Sequence, residues 1–401
     1  LEGSPKAMSI ALLYERSEND EAGIKQTAQQ LGIDLKFIPF RKIALTISKE
    51  GFNAKTKGKD YLETFNQTAV VLNRAQSKNR RLQASYIMEA FDKKTLNSSQ
   101  IEFICYSKLR TLLNLWKAGL PIPKTVFVPC DASDFMKNSR EIHNEADIAD
   151  LFQTEIPLDK GIVIKADAGT HGKMIMLSKT REELLENIKE TRPSIINPIG
   201  VVAQELVNKW FYDLRIIVYK EKGKQSICHN KALARAGFKD FRTNTFLGNL
   251  VFEAKLPQCV IDLASRCGDT LGKGSEAWIF AFDAMINIPN NKQQVDDTYL
   301  KAQLDLATQA YLPVQNVKAD ETRLTDFSAW NDRLAQSFSA YTSSDSYQKV
   351  KSVIDENIQN NKNDIVFHEA NSCPEFWENT RLATGLNVAI PLLKTAQSLI
   401  D

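Results

Sequence analysis

Short apolar runs alternate with apolar stripes at helical spacing along most of this chain, a pattern that predicts an α/β protein. SIALLYE predicts a strand, residues 22–31 a helix, and IDLKFIPF a second strand. TAVVLNRA predicts another strand, and Leu82, Ile87 and Phe91 then recur at helical spacing. The Lys- and Gly-rich stretch 42–60 predicts an exposed loop. YSKLRTLLNLWKAGLPIPKTVFV predicts an amphipathic helix that ends at Gly119, a proline-marked turn and a strand.

In GIVIKADAGTHGKMIML two apolar strands flank a glycine loop, and Thr180 with Glu183 starts a helix through a capping box. VVAQELV, DLRIIVY and AWIFAFDAMI predict further strands, with a helix over 260–271. Residues 290–364 break this rhythm with helical stripes that include Leu324, Phe327, Trp330, Leu334, Phe338 and Tyr341. They predict a helical insertion between two strands that would otherwise be neighbours. Its large apolar groups need cover from the body of the protein, a second subunit or a substrate. Its ends should lie close together, so a short Gly/Ser link should be able to replace it. Three units are expected, over 8–105, 106–200 and 201–401, the last interrupted at about 290–364.

Composition narrows the picture. A chain of 401 residues exceeds one ordinary core. With 43% hydrophobic and 25% charged residues it has the balance of a soluble globular protein. Lys plus Arg number 51 against 49 acidic residues, so no global field argues for nucleic acid or an anionic membrane as partner. The six cysteines are scattered, and neither they nor the four histidines show metal-ligand spacing, which points to a reducing, cytoplasmic setting. No apolar stretch has the length of a membrane span, and LEGSPKA ahead of Met8 is expected to be a cloning remnant.

Four stretches carry candidate chemistry. In IVFHEANSCPEFWE, strand periodicity puts Ile365, Phe367, Glu369 and Asn371 on one face. The Cα atoms of the last two would lie about 6 to 7 Å apart, within reach of one hard cation; the alternative is an edge strand whose polar face meets water. Lys165 enters the glycine loop of KADAGTHGK, whose backbone amides could approach an anion; the loop lacks the Walker order, and a plain turn is the alternative. RAGFKDFRTN concentrates Arg235, Lys239, Arg242 and Asn244, suited to phosphate or carboxylate, against the alternative of a surface basic patch. Asp283 sits in the most apolar strand, so it should be hydrogen-bonded or bound to a cation unless it merely caps the strand end. With Glu369 and Asn371 it supplies an oxygen set of the kind magnesium takes.

Taken in order, Lys108, Lys165 with its glycine loop, QELV, DLR, RAGFKDFRTN, Asp283 and HEANSCP resemble the ATP-grasp superfamily, and within it the RimK-like carboxylate–amine (glutamate) ligases. The resemblance spans about residues 10–400 and rests most on DFRTN and on the acidic residue followed by ExN. It implies an α/β (α+β) ATP-grasp fold: a pre-ATP-grasp domain, a central lobe and a C-terminal lobe that grip ATP. Lys108 and Lys165 would hold phosphates under the loop of Gly169, Thr170, His171 and Gly172, although His171 also suits a surface turn. Gln204, Glu205 and Leu206 match the segment that meets adenine, and Asp213 the ribose contact. Arg242 and Asn244 match phosphate contacts; Arg215 and Arg235, with Arg242, match the catalytic positions that face substrate and acyl phosphate.

Asp283, Glu369 and Asn371 match ligands for one or two magnesium ions, with manganese able to substitute. Two departures stand out: 86 positions (369 − 283) separate Asp283 from Glu369, and the linker before Asp213 is the aromatic NKWFY. The implied activity is amide or peptide bond formation from a small-molecule or peptide carboxylate and an amine, with release of ADP and phosphate. Phosphotransfer to a hydroxyl and a nucleotide-binding regulatory or scaffold role remain alternatives, and the insertion is expected to shape acceptor binding or form a homo-oligomer.

Overall fold

The protein is described from a computed structural model that covers residues 9–49, 51–130, 143–168, 174–193, 200–243 and 245–400. The N-terminal sheet is parallel, in the order Leu35–Pro39, Ser9–Tyr14, Thr68–Arg74, Lys94–Leu96. Ala11, Leu13 and Val71 pack on one side with Phe65 and Met88, while Ile10, Leu12, Val70 and Leu72 pack on the other. Burial of both faces explains why these strands read as unbroken apolar runs.

The stretch 42–60 is not a loop. Ala44–Ser48, Gly51–Thr56 and Lys59–Asp60 form a small antiparallel sheet. Only Ala54 of these strands is fully buried and Ile47 is exposed, so the backbone pairs without an apolar alternation to announce it.

The central sheet is antiparallel, ordered Ile175–Ser178, Ile162–Ala166, Gly200–Glu205, Thr125–Pro129. Helices Glu145–Glu155 and Arg181–Thr191 cover it, and Ile148, Phe152, Ile162, Ile164, Leu184 and Ile188 make a core of their own. The C-terminal sheet runs Leu250–Lys255, Lys231–Ala236, Tyr212–Lys220, Trp278–Ile286, Ile365–Asn371, with Ile227–Cys228 paired to Tyr212–Lys220. Its core is continuous with one face of the N-terminal sheet.

The insertion holds helices Asp297–Ala319, Thr322–Thr325, Phe327–Thr342 and Asp345–Asn361. Trp278–Ile286 pairs directly with Ile365–Asn371, and the Asn287 amide donates to the Asp364 carbonyl at 3.0 Å, so the ends of the insertion do lie together. Its aromatic groups are covered by the body of the protein: Tyr341 Oη donates to the Val251 carbonyl, the Tyr347 ring stacks on Phe252, and Trp330 is fully buried. A short link in its place would strip that cover from the C-terminal sheet, contrary to expectation.

Candidate active site

Two adjacent rows of charged residues cross the C-terminal sheet. Arg235 stands opposite Asp213, Arg215 opposite Asp283, and Asp283 opposite Glu369. Alternate residues such as Leu214, Ala234 and Phe282 face the core, so strand periodicity alone brings the charges to one side. Arg235 donates to both oxygens of Asp213 at 2.7 and 2.8 Å, and Arg215 to both of Asp283 at 2.9 and 3.0 Å. A second ion pair of 3.1 Å runs from Arg235 to Asp283. Burial pushes the Asp283 carboxyl up, but Arg215 and Arg235 more than offset it and hold the group well below its ordinary range.

Glu369 reaches its row because the strand is bulged. Phe367 pairs with Ala284 and Glu369 with Asp283, which leaves His368 as the extra residue. The expected single face is therefore split: Ile365 and Phe367 lie in the core, whereas Glu369 and Asn371 line a cavity with Asp283, Arg215 and Arg235. Period two fails at one residue, and that failure turns the carboxylate toward the site.

Lysines face these carboxylates. Lys108 opens helix Lys108–Lys117, and Asp167 fixes it: its carbonyl accepts the Lys108 amide at 3.0 Å and its carboxylate accepts the Leu109 amide at 2.9 Å. Lys165 is buried, donates to Gln204 Oε1, and is pushed down to about 8 by burial and then by Lys108. Lys78, from the N-terminal unit, lies 3.8 Å from Glu369 and is likewise lowered to about 8 by burial and Lys108. Lys108 and Lys78 in turn hold Glu369 below its ordinary range against the upward push of burial. Glu369 is thus the carboxylate among these lysines, and their remaining charge suits the oxygens of an anion.

The remaining predicted residues are placed differently. Gln204 is tied to Lys165 and to Thr125 Oγ1, and Glu205 is exposed, accepting the Lys124 amide at 2.8 Å. The Leu206 amide donates to the Gly161 carbonyl. Asp213 is buried with both oxygens on Arg235, so the structure makes it a partner of an arginine rather than an open ribose contact. Arg242 turns its guanidinium onto Asp240 at 2.8 Å. Gly169, Thr170, His171, Gly172 and Asn244 lie outside the described residues.

Sequence reasoning missed the opposite wall. Arg16, Gln76, Lys78 and Arg81 line the same cavity from the N-terminal unit. Arg74 there is committed to Asp20, Glu21 and the Pro374 carbonyl, and Arg81 to Glu102. A signal was available: these residues follow the ends of parallel strands on either side of the point where strand order reverses, the usual ligand crevice of such sheets.

Seven Arg and Lys side chains and six Asp and Glu side chains line the cavity, so phosphate oxygens would have to meet the lysines while a cation offsets the carboxylates. For magnesium the donor chemistry of Glu369 and Asn371 fits: two side chains of one strand that carry ligating oxygens and line the cavity. Asp283 fits only by giving up a guanidinium. Among the described residues no three His, Cys, Asp or Glu side chains are grouped around one point.

Comparison with known proteins agrees with this geometry. Residues 132–283 match the model of a RimK-like ATP-grasp domain. The chain is 28% identical over 268 residues to the alpha-aminoadipate–LysW ligase LysX of Sulfurisphaera tokodaii, which spans 66% of this chain and 82% of that one. It is 25% identical over 208 residues to LysX of Saccharolobus solfataricus, spanning 52% and 67%. Among solved structures, the D-alanine–D-alanine ligase from Coxiella burnetii superposes with a TM-score of 0.53 at 10% identity, covering 99% of this chain and 95% of that one. VanG D-Ala:D-Ser ligase from Enterococcus faecalis gives 0.53 at 12% identity, covering 98% and 99%. Residues 132–283 therefore resemble a RimK-like ATP-grasp domain, and the chain as a whole shares the fold of ATP-grasp ligases.

Proposed function

We propose that the protein is an ATP-dependent carboxylate–amine ligase. The observation that carries this reading is the cavity in which Lys78 and Lys108 face the Asp283–Glu369 pair and Asn371. A substrate carboxylate attacks the γ-phosphorus of ATP, the bond to ADP breaks, and an acyl phosphate forms. The amine then forms the C–N bond and expels phosphate. Lys108 and Lys165 hold phosphate oxygens, and Arg215, already aligned by Asp283, meets the charge that builds up on the transferring group. Magnesium would be held by Glu369 and Asn371, with Asp283 beside them, and would supply charge neutralisation between phosphate oxygens. The α-aminoadipate and LysW in the names of the relatives support an amino acid or a peptide as one partner.

The test is a screen of amino acids, peptides and amines for substrate-dependent release of ADP and phosphate, with mass spectrometry of the product. With ¹⁸O in the acid's carboxylate, one label should appear in the released phosphate. A stable phosphate ester with no free phosphate would replace this reading by phosphotransfer to a hydroxyl.

A further inference from the structure

The N-terminal wall of the cavity is a loop and a helix start, residues 75–78, directly after the strand Thr68–Arg74. Most charged groups on this wall are matched. Arg16 pairs with Glu18 at 3.0 Å, Arg74 with Asp20 and Glu21, and Arg81 with Glu102. Two groups are not. The Lys78 ammonium has three donors, yet its nearest partner is Glu369 at 3.8 Å, beyond hydrogen-bond reach. Gln76 is the second. Its side-chain nitrogen donates to the Arg16 carbonyl at 3.3 Å, which assigns the amide orientation and leaves the buried oxygen without a donor among the described residues.

These two groups have opposite needs and sit two positions apart. Lys78 wants an anion's oxygen beside Glu369, and it opens the helix Lys78–Ala90, whose N-terminal dipole adds to its charge. Gln76 wants an N–H donor. A buried polar group without a partner is disfavoured, so both are arranged for something that arrives.

Resting on the ligase reading above, we propose that residues 75–78 gather the two substrates. Lys78 meets the carboxylate that is activated, and the Gln76 carbonyl oxygen accepts an N–H from the amine that will attack it.

The experiment uses the full chain and the acid and amine that the product screen identifies. Lys78→Met should raise the KM for the acid roughly ten- to a hundredfold, the loss of a charged hydrogen bond, while ADP affinity by calorimetry stays within about threefold. Lys78→Arg should recover most of the loss. Gln76→Leu should raise the KM for the amine and leave that for the acid unchanged. Circular dichroism and thermal melts check that each variant folds. Weakened ADP binding with an unchanged acid KM in Lys78→Met would make Lys78 a phosphate ligand and overturn the proposal. Unchanged KM values in both variants would overturn it too. Failure of the ligase reading would look different, because the unaltered protein would then make no amide from any pair, and the proposal would fall with it.

Discussion

The central and C-terminal sheets both carry buried charge near the cavity, but they are built in different ways. The central sheet has a small separate core and carries one buried lysine, Lys165, whose main bond is to a neutral amide. The C-terminal sheet shares its core with the N-terminal sheet and the insertion, and its charges are locked together as Asp213, Arg235, Asp283 and Arg215. One wall is thus fixed by ion pairs, and the other rests on a core of its own. The insertion contributes to the fixed side: Asn331 accepts from Trp377 Nε1 and from Arg381, and Trp377 lies so close to Gly23 that a Cβ there would meet its ring at 2.1 Å.

The largest expected effect separates the two cores. Trp330→Ala should destabilise the protein by about 3 to 5 kcal/mol, and hydrogen exchange should rise in the N-terminal and C-terminal sheets together. Phe152→Ala should have a similar cost, with faster exchange confined to residues 125–205. Equal spreading in both variants would erase the distinction.

Next in size is Asp283→Asn. Removing that charge leaves the half-buried Arg215 without its carboxylate and Arg235 with Asp213 alone, a loss of roughly 3 kcal/mol in denaturant unfolding, together with loss of turnover. Lys165→Met should instead leave the fold unweakened, because it relieves burial and repulsion from Lys108. Its nucleotide affinity should fall roughly ten- to a hundredfold, as expected for a charged hydrogen bond.

The pH response sharpens the same contrast. Lys165 is lowered to about 8 in the folded protein, against an ordinary value of 10.5. Between these values the unfolded chain holds the extra proton, so this group makes stability rise with pH through that window. Anion binding needs the charged lysine, so ADP affinity by calorimetry should weaken above pH 8, and Lys165→Met should flatten that part of the profile. The smallest effect is expected at Arg242→Ala. Its pair with Asp240 is partly exposed, so stability should change by less than about 0.5 kcal/mol, and a raised KM for ATP would then report a nucleotide contact alone.

Strand and helix periodicity together determined much of this protein from sequence alone. It placed the buried strands, isolated Asp283 as a polar residue that needed a partner, and marked 290–364 as helical. The pair of oxygen-bearing side chains at Glu369 and Asn371 was also legible, but the turn of that pair away from Phe367 was not, since the extra residue His368 appears only when Phe367 and Glu369 are paired with the neighbouring strand. The small sheet in 44–60 was hidden because backbone pairing with little burial leaves no pattern in side chains. Lys78 and Gln76 were invisible for a different reason. Nearly 300 positions separate Lys78 from Glu369, and only packing of the N-terminal unit against the C-terminal sheet brings the two within 3.8 Å. Local order follows from which residues alternate, whereas a site assembled from three sheets depends on contacts that no local pattern encodes.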